Sequence, residues 1–300
     1  MQINSPSLFI EINKFEFIFA VIDNKENDTS NVLEIISTPI QGFNDSKISD
    51  LDLVQKIFKK NIYLIEQKFN IVFKEATIII SNLNCSVINL SGYKKLNGSQ
   101  LVKENITYII NSLKSKIIEL EDNKKILHIF NSKYLIDQTE TENLPIGLFG
   151  NFYSHELSFF LINNNDYKNL KNILNECNLR VKKIVSKIFL EGVDIINNNL
   201  NEDTFFKIKI NKDYSQISFF ENSSLKFIQN FKFGSDLVMN DISKIIALSK
   251  STVEKILLNL NLNKENFTDD YIEKEFFVNQ NFRKIKKGLI TEIAEARIKE

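Results

Sequence analysis

The stretch from Phe205 to Ile246, FFKIKINKDYSQISFFENSSLKFIQNFKFGSDLVMNDISKII, constrains the fold more than any other part of the chain. Its first residues alternate apolar and polar, the period of a half-buried strand. A short polar turn, a second strand and an extended third strand follow. Gly234 then breaks the pattern, and Asn240-Asp241 is expected to open a helix. Three strands feeding a helix place this part of the chain in a mixed α/β architecture.

The upstream sequence has the same character. SLFIEINKFEFIFAVID reads as two strands joined at Asn13-Lys14, and VLEIISTPI as a third. From Asp50 to Phe69 the apolar residues Leu53, Val54, Ile57, Phe58, Ile62, Ile65 and Phe69 keep helical spacing, with Asp50 as the candidate N-cap. ATIIISNL is a buried strand.

CSVINLSGYKKL then reads as extended, and Ser99 to Leu120 as a long helix with Leu101, Ile106, Ile109, Ile110, Leu113 and Ile117 near one face. KILHIFNSKYLID and HELSFFLIN are strands around the turn LPIGLFG, which Pro145 and Gly147 mark. DYKNLKNILNECN is a second helix, and LRVKKIVSKIFLEGVDIINN a short strand and a further helix. Ser251 is expected to cap a helix to Leu260, Asp269–Val278 to run from acidic to extended, and Arg283–Glu300 to be helical. That last helix reaches the final residue with no Gly or Pro cap, so the chain reads as a truncated version of a longer pattern.

Composition narrows the function classes. Three hundred residues suffice for two domains with their own cores. Lys+Arg and Asp+Glu both number 38, so no global field favours nucleic acid or an anionic membrane. Cys85 and Cys177 stand alone and read as free thiols of a reducing cytoplasm. The two histidines, His128 and His155, form no zinc spacing, and His128 sits in an apolar strand-like run. No Gly-x-Ser-x-Gly or Walker A motif occurs. The apolar runs are too short to span a bilayer. Triplets such as Asn97-Gly98-Ser99 and Asn266-Phe267-Thr268 follow no signal peptide and read as coincidence.

The order of these pieces resembles the bacterial cell-division family FtsA, of the actin-like ATPase superfamily. KILHIFNSKYLID, LPIGLFG, NNNDYKNLKNILNECNLRVKKIV, GSDLVMNDISKII and ITEIAEARIKE each resemble a family segment, in family order. The resemblance implies an actin-like (ribonuclease H-like) α/β fold. Residues 1–83 and 163–195 would form the first actin-like subdomain, 84–162 the inserted FtsA-specific α+β subdomain, and 196–300 an incomplete second half. The family continues past this point, into an adenosine-binding Gly-Gly turn and an amphipathic C-terminal membrane helix.

The departures bear on chemistry. Where the family's first phosphate loop has an acid, Ile, Gly and Ser or Thr, this chain has Glu11, Ile12, Asn13 and Lys14. Only the acid survives. The second loop replaces an Asp, a hydrophobic residue, three glycines, Thr and a second Asp with Lys209, Ile210, Asn211, Lys212, Asp213, Tyr214 and Gln216, ahead of Gly234. A phosphate cradle needs close backbone N–H groups, which glycine permits, and magnesium needs carboxylates or hydroxyls. Hence no cofactor is expected, neither ATP nor magnesium, and no ATPase activity. Lys14, Lys209 and Lys212 could instead form a new anion site, or be solvated strand-end lysines.

By motif match, Asp241, Arg283, Arg297 and Glu300 fall where the family holds the acidic C-terminal tail of the tubulin-like protein FtsZ, or on an ordinary charged helix face. The resemblance therefore implies a non-catalytic scaffold that recruits FtsZ and later division proteins, the latter through residues 84–162, with self-association as a further expectation. Its place would be the cytoplasmic face of the inner membrane at the septum, reached through the C-terminal helix. The alternatives are an ATP-binding actin-like switch with an atypical pocket, or a PilM-type pilus-assembly relative.

Overall fold

The computed structural model describes residues 6–24, 30–44, 46–81, 83–198, 202–259, 270–277 and 282–300. They divide into two compact units: Met1–Lys207 with Ser218–Ile228, and Ile208–Ile217 with Gln229–Glu300. The first unit thus runs on to Lys207 and takes in the segment Ser218–Ile228.

The first unit opens with β1 (Ser7–Ile12), β2 (Glu16–Asn24), β3 (Ser30–Pro39), the short strands β4 (Phe43–Asn44) and β5 (Lys47–Ile48), α1 (Leu51–Phe69) and β6 (Glu75–Ile80). This is the β-β-β-α-β order expected from the sequence. After β7 (Cys85–Lys95), α2 (Lys103–Leu120), β8 (Lys124–Ile136), β9 (Thr139–Thr141) and β10 (Phe152–Asn163), the chain returns through α3 (Asn164–Glu176), β11 (Arg180–Ser186) and α4 (Lys187–Asn198). The main sheet has the order β11-β6-β1-β2-β3. β1–β2 and β2–β3 are antiparallel, and β6 runs parallel to both β1 and β11.

Alternation decides which face of this sheet is core. Leu8, Ile10, Ile12, Phe17, Phe19 and Val21 are all buried. They meet Val54, Phe58, Ile62 and Ile65 of α1, and Phe58 takes Phe17 and Phe19 edge-on at 5.2 and 5.3 Å. Asp50 caps α1 by accepting from Leu53 N, and Asn70 ends it in the left-handed region, at φ 52°.

Residues 84–162 form a helix on the sheet β7-β10-β8-β9. Ile106, Ile109 and Leu113 of α2 are buried against it and Ile110 is half-buried, as the helical spacing implies. α2 opens at Lys103, not Ser99. Leu101 N donates to Leu148 O, Gly147 N to Leu101 O, and Gln100 bridges Phe149. Those backbone groups are committed to a loop pairing, so Leu101 enters the core from outside the helix.

β12 (Phe205–Ile210), β13 (Ser215–Glu221) and β14 (Ser224–Phe231) form a three-stranded sheet in sequence order. Asn222 and Ser223, both at positive φ, make the tight turn of the last hairpin. Phe220 is fully buried, stacks on Phe205 at 4.9 Å and presses on Gly192 of α4.

The second unit carries α5 (Ser235–Ile246), α6 (Lys250–Asn259) and α7 (Lys287–Lys299) around Ile242, Ile246, Val253, Ile256, Ile290 and Ile293. Each of these helices begins away from its expected start. α5 opens at Ser235, five residues before Asn240, because carbonyls from the β12–β13 turn cap it. α6 is capped by Ser249, whose hydroxyl accepts from Thr252 N, and not by Ser251. α7 starts at Lys287 because residues 285–287 are tied in extended pairing: Tyr271 bridges Lys286, Ile272 N donates to Ile285 O and Lys287 N to Asp270 O. Arg283 therefore lies outside the helix. Asn266–Thr268 and the ends of the expected 269–278 stretch lie outside the described residues, and within that stretch Lys274–Phe276 is a 3-10 turn. No described helix is long and apolar enough to cross a membrane.

Candidate functional site

The first-loop residues are engaged within the protein. Asn13 Oδ1 accepts from Phe15 N at 2.8 Å and from Glu16 N at 2.9 Å, while Asn13 N donates to Glu16 O. The β1–β2 connection is thus an Asx turn that uses its own amide donors. Glu11 lies on the face of β1 opposite Ile10 and Ile12. Its carboxylate is 2.5 Å from Lys187 Nζ, which the first residue of α4 supplies, and its side chain is 15% exposed. A magnesium ion or a polarised water at Glu11 would have to displace that ammonium. Among the described residues no group of His, Cys, Asp or Glu is arranged to hold a metal ion.

The second loop is closed in a different way. Asn211 N donates to Tyr214 O, shutting the β12–β13 turn. The carbonyls of Asn211 and Lys212 then accept from Ser235 N (3.0 Å) and Asp236 N (2.8 Å), the first amides of α5. Gly234 makes this approach possible: a Cβ there would lie 2.3 Å from Lys212 O and 2.7 Å from Asn211 O. The amides that could meet an anion at this helix start already face carbonyl oxygens. Gln216 bonds Asn230, Lys212 lies 3.4 Å from Glu254, and Lys14, Lys209 and Asp213 are each engaged within the chain. Asn211 Nδ2 is a buried donor without a partner, and one amide does not make a phosphate cradle. These residues do not fit a magnesium nucleotide.

A groove of about 320 Å³ lies between α5 and α7, lined by Asp241, Lys244, Ile245, Ile293, Ala296, Arg297 and Glu300. Three of the four residues singled out for partner binding meet here. Arg297 Nε donates to Asp241 at 2.5 Å and Nη1 to Glu300 at 2.6 Å. Those bonds raise the Arg297 pKa, led by the one to Asp241. Asp241 sits within α5, not at its start. Arg283 is exposed ahead of α7 and does not line the groove. Lys244, Ile245 and Ala296 went unread in the sequence, although they follow from helical spacing: 241, 244 and 245 share one face of α5, as 293, 296, 297 and 300 share one face of α7. Ile245 is 61% exposed and gives the groove an apolar wall, whereas Ile290 is core.

No protein-family model matches the chain. Curated proteins do. The chain is 23% identical over 290 residues to the cell division protein FtsA of Buchnera aphidicola subsp. Baizongia pistaciae, spanning 96% of this chain and 68% of that protein. To FtsA of Escherichia coli K12 it is 20% identical over 226 residues, 75% of this chain and 53% of that one. The chain is a divergent FtsA-like protein. It spans about half to two thirds of the length of these relatives. Among solved structures it is similar to a chain of the PilM-PilN type IV pilus biogenesis complex, with a TM-score of 0.52 and 11% identity over 83% of this chain and 68% of that one. At such identity the likeness concerns the fold alone, which is actin-like.

Proposed function

We propose that this FtsA-like chain is a non-catalytic scaffold of cell division, which holds an acidic, partly apolar peptide such as the FtsZ C-terminal tail in the groove between α5 and α7. The observation that carries the non-catalytic half is the engagement of both loops: Glu11 faces a lysine, and the turn donors and the start of α5 are satisfied from within. The division role comes from the FtsA relatives. The groove suits the peptide by chemistry. Arg297 offers a guanidinium edge to a carboxylate, Lys244 adds charge at the wall, and Ile245 with Ile293 offers apolar contact. Residues 84–162 would serve later division proteins, and the septal face of the membrane would be reached through elements of the longer relatives.

Two titrations test this. Mg-ATP at millimolar levels is expected to give neither calorimetric heat nor a thermal shift, and a saturable shift abolished by EDTA would restore the nucleotide-switch reading. A labelled acidic tail peptide is expected to bind by anisotropy. Arg297→Glu should weaken it by roughly fivefold to a hundredfold, about 1–3 kcal/mol, with circular dichroism unchanged. Equal affinity in the variant would sink the peptide site. A PilM-type role is favoured by the structural likeness alone and predicts no affinity for that tail.

A further inference from the structure

The main sheet of the first unit ends in two very different edges. At one edge, β11 carries Arg180, Lys182 and Lys183, with Lys182 paired to Glu75. Charged side chains of this kind, lysines above all, keep an edge strand from recruiting another. At the other edge, β3 is ten residues long and, among the described residues, pairs with β2 on one side only. From Asn31 to Pro39 it has no lysine or arginine. Its one charge, Glu34, is bound to Lys68 of α1. Val32, Leu33 and Ile35 are 57%, 42% and 59% exposed. α1 reaches β3 through Asn61, which bonds Thr38, and through Lys68, and its Leu64 is 48% exposed.

We infer that the free edge of β3 pairs antiparallel with β3 of a second copy of this chain, about a two-fold axis through Ile35. The strand is self-complementary in that register. Ile35 faces its twin, and Glu34 faces Ile36. Each residue meets one of its own parity, so the solvent faces and the α1-covered faces of the two sheets coincide. β-Branched side chains oppose at the centre, and no like charges meet. A register centred on Glu34 would bring two carboxylates together and is excluded. The bulge at Leu33, where Val21 pairs with Glu34 but Ile22 with Val32, confines regular pairing to its C-terminal side. This contact does not rest on the division role or on the α5–α7 groove.

Sedimentation velocity of the full chain over a wide concentration range tests it, with a paired cross-linking experiment. The mass should climb with concentration from 34.9 kDa toward twice that value. Ile35→Lys sets two ammoniums face to face and should hold the protein monomeric throughout, with circular dichroism and melting temperature unchanged because Ile35 is exposed. Under mild oxidant Ile35→Cys should form a covalent dimer well above the wild-type background from its native thiols, since twin Cβ atoms would lie about 5 Å apart. Ser37→Cys should stay near background, because twin positions there are offset by about 13 Å along the strands. A monomer at every concentration, a dimer that survives Ile35→Lys, or equal cross-linking at both positions would each overturn the inference.

Discussion

Replacing Gly192 by alanine should destabilise the protein through a single ring. Gly192 lies within α4, where alanine is ordinarily preferred by about 1 kcal/mol. Here the added Cβ would sit 2.1, 2.3 and 2.9 Å from three atoms of the Phe220 ring. Carbon atoms pack best at about 3.5–4.0 Å, so the overlap exceeds an ångström. Phe220 has no room to retreat: it is fully buried, stacked on Phe205, and clustered with Phe160 and Leu225. Overpacking of this kind costs about 1–3 kcal/mol, and a rigid aromatic neighbour puts it at the upper end. The net expectation, after the helix preference is subtracted, is a loss of about 1–2 kcal/mol.

The assay is urea unfolding followed by circular dichroism, carried through a double-mutant cycle with Phe220→Leu. Leucine withdraws the ring atoms that the new methyl would strike. In that background Gly192→Ala should be neutral or mildly stabilising, giving a coupling of about 1–3 kcal/mol. The reasoning is refuted if Gly192→Ala costs nothing in the native background, or costs the same with and without the ring.

Two further outcomes are expected. His155 is 1% exposed, and burial pushes its pKa down from 6.5 to about 4, while burial and the Lys183 charge move His128 in the same direction. Between pH 6.5 and 4 the unfolded chain therefore binds more protons than the native one, so stability is lost as the pH is lowered through that window, by on the order of 3 kcal/mol from His155; His155→Phe should flatten the slope measured by urea titration at several pH values. Gly234→Ala drives a Cβ into Lys212 O and should uncap α5, lowering the melting temperature and weakening tail-peptide binding; an unchanged melting temperature would mean that the turn carbonyls yield freely.

Local pattern gave the strands and the helical stripes. The alternation Leu8-Ile10-Ile12 and Phe17-Phe19-Val21 marks the buried face of the first sheet, and Val54-Phe58-Ile62-Ile65 marks the helix on it. The starts of helices were less legible, because distant backbone sets them. Leu101 continues the apolar stripe of α2 in register, yet its amide and carbonyl belong to the loop at 147–148. Asn240-Asp241 carries a local cap signature, but carbonyls from Asn211 and Lys212 start α5 earlier. The extended pairing of 285–287 with 270–272 likewise removed Arg283 from α7 and from the groove. The candidate site shows the same division. Asp241, Arg297 and Glu300 came from motif order, whereas Lys187, which meets Glu11 across 176 residues of sequence, left no local signal.

The two engaged loops also bear on how such a chain holds its form. A nucleotide bound to the native state stabilises it only while it is present: at about a hundred times its dissociation constant the gain is about 2.7 kcal/mol, and it vanishes with the ligand. Here the carbonyls of Asn211 and Lys212 satisfy the first amides of α5, bonds of the kind worth about 1 kcal/mol each at a helix start. Lys187 neutralises Glu11 in the other unit, a half-solvated pair that adds up to about 1 kcal/mol. These contacts act within their own units, and their sum is of the same order as a ligand's contribution. They are independent of ligand concentration. α5 is thereby held from its start, and the far half of that helix presents Asp241, Lys244 and Ile245 to the groove. On the proposed scaffold reading, the affinity of this groove for a peptide should be the same whether or not ATP is in solution, and a nucleotide-dependent affinity would count against that reading.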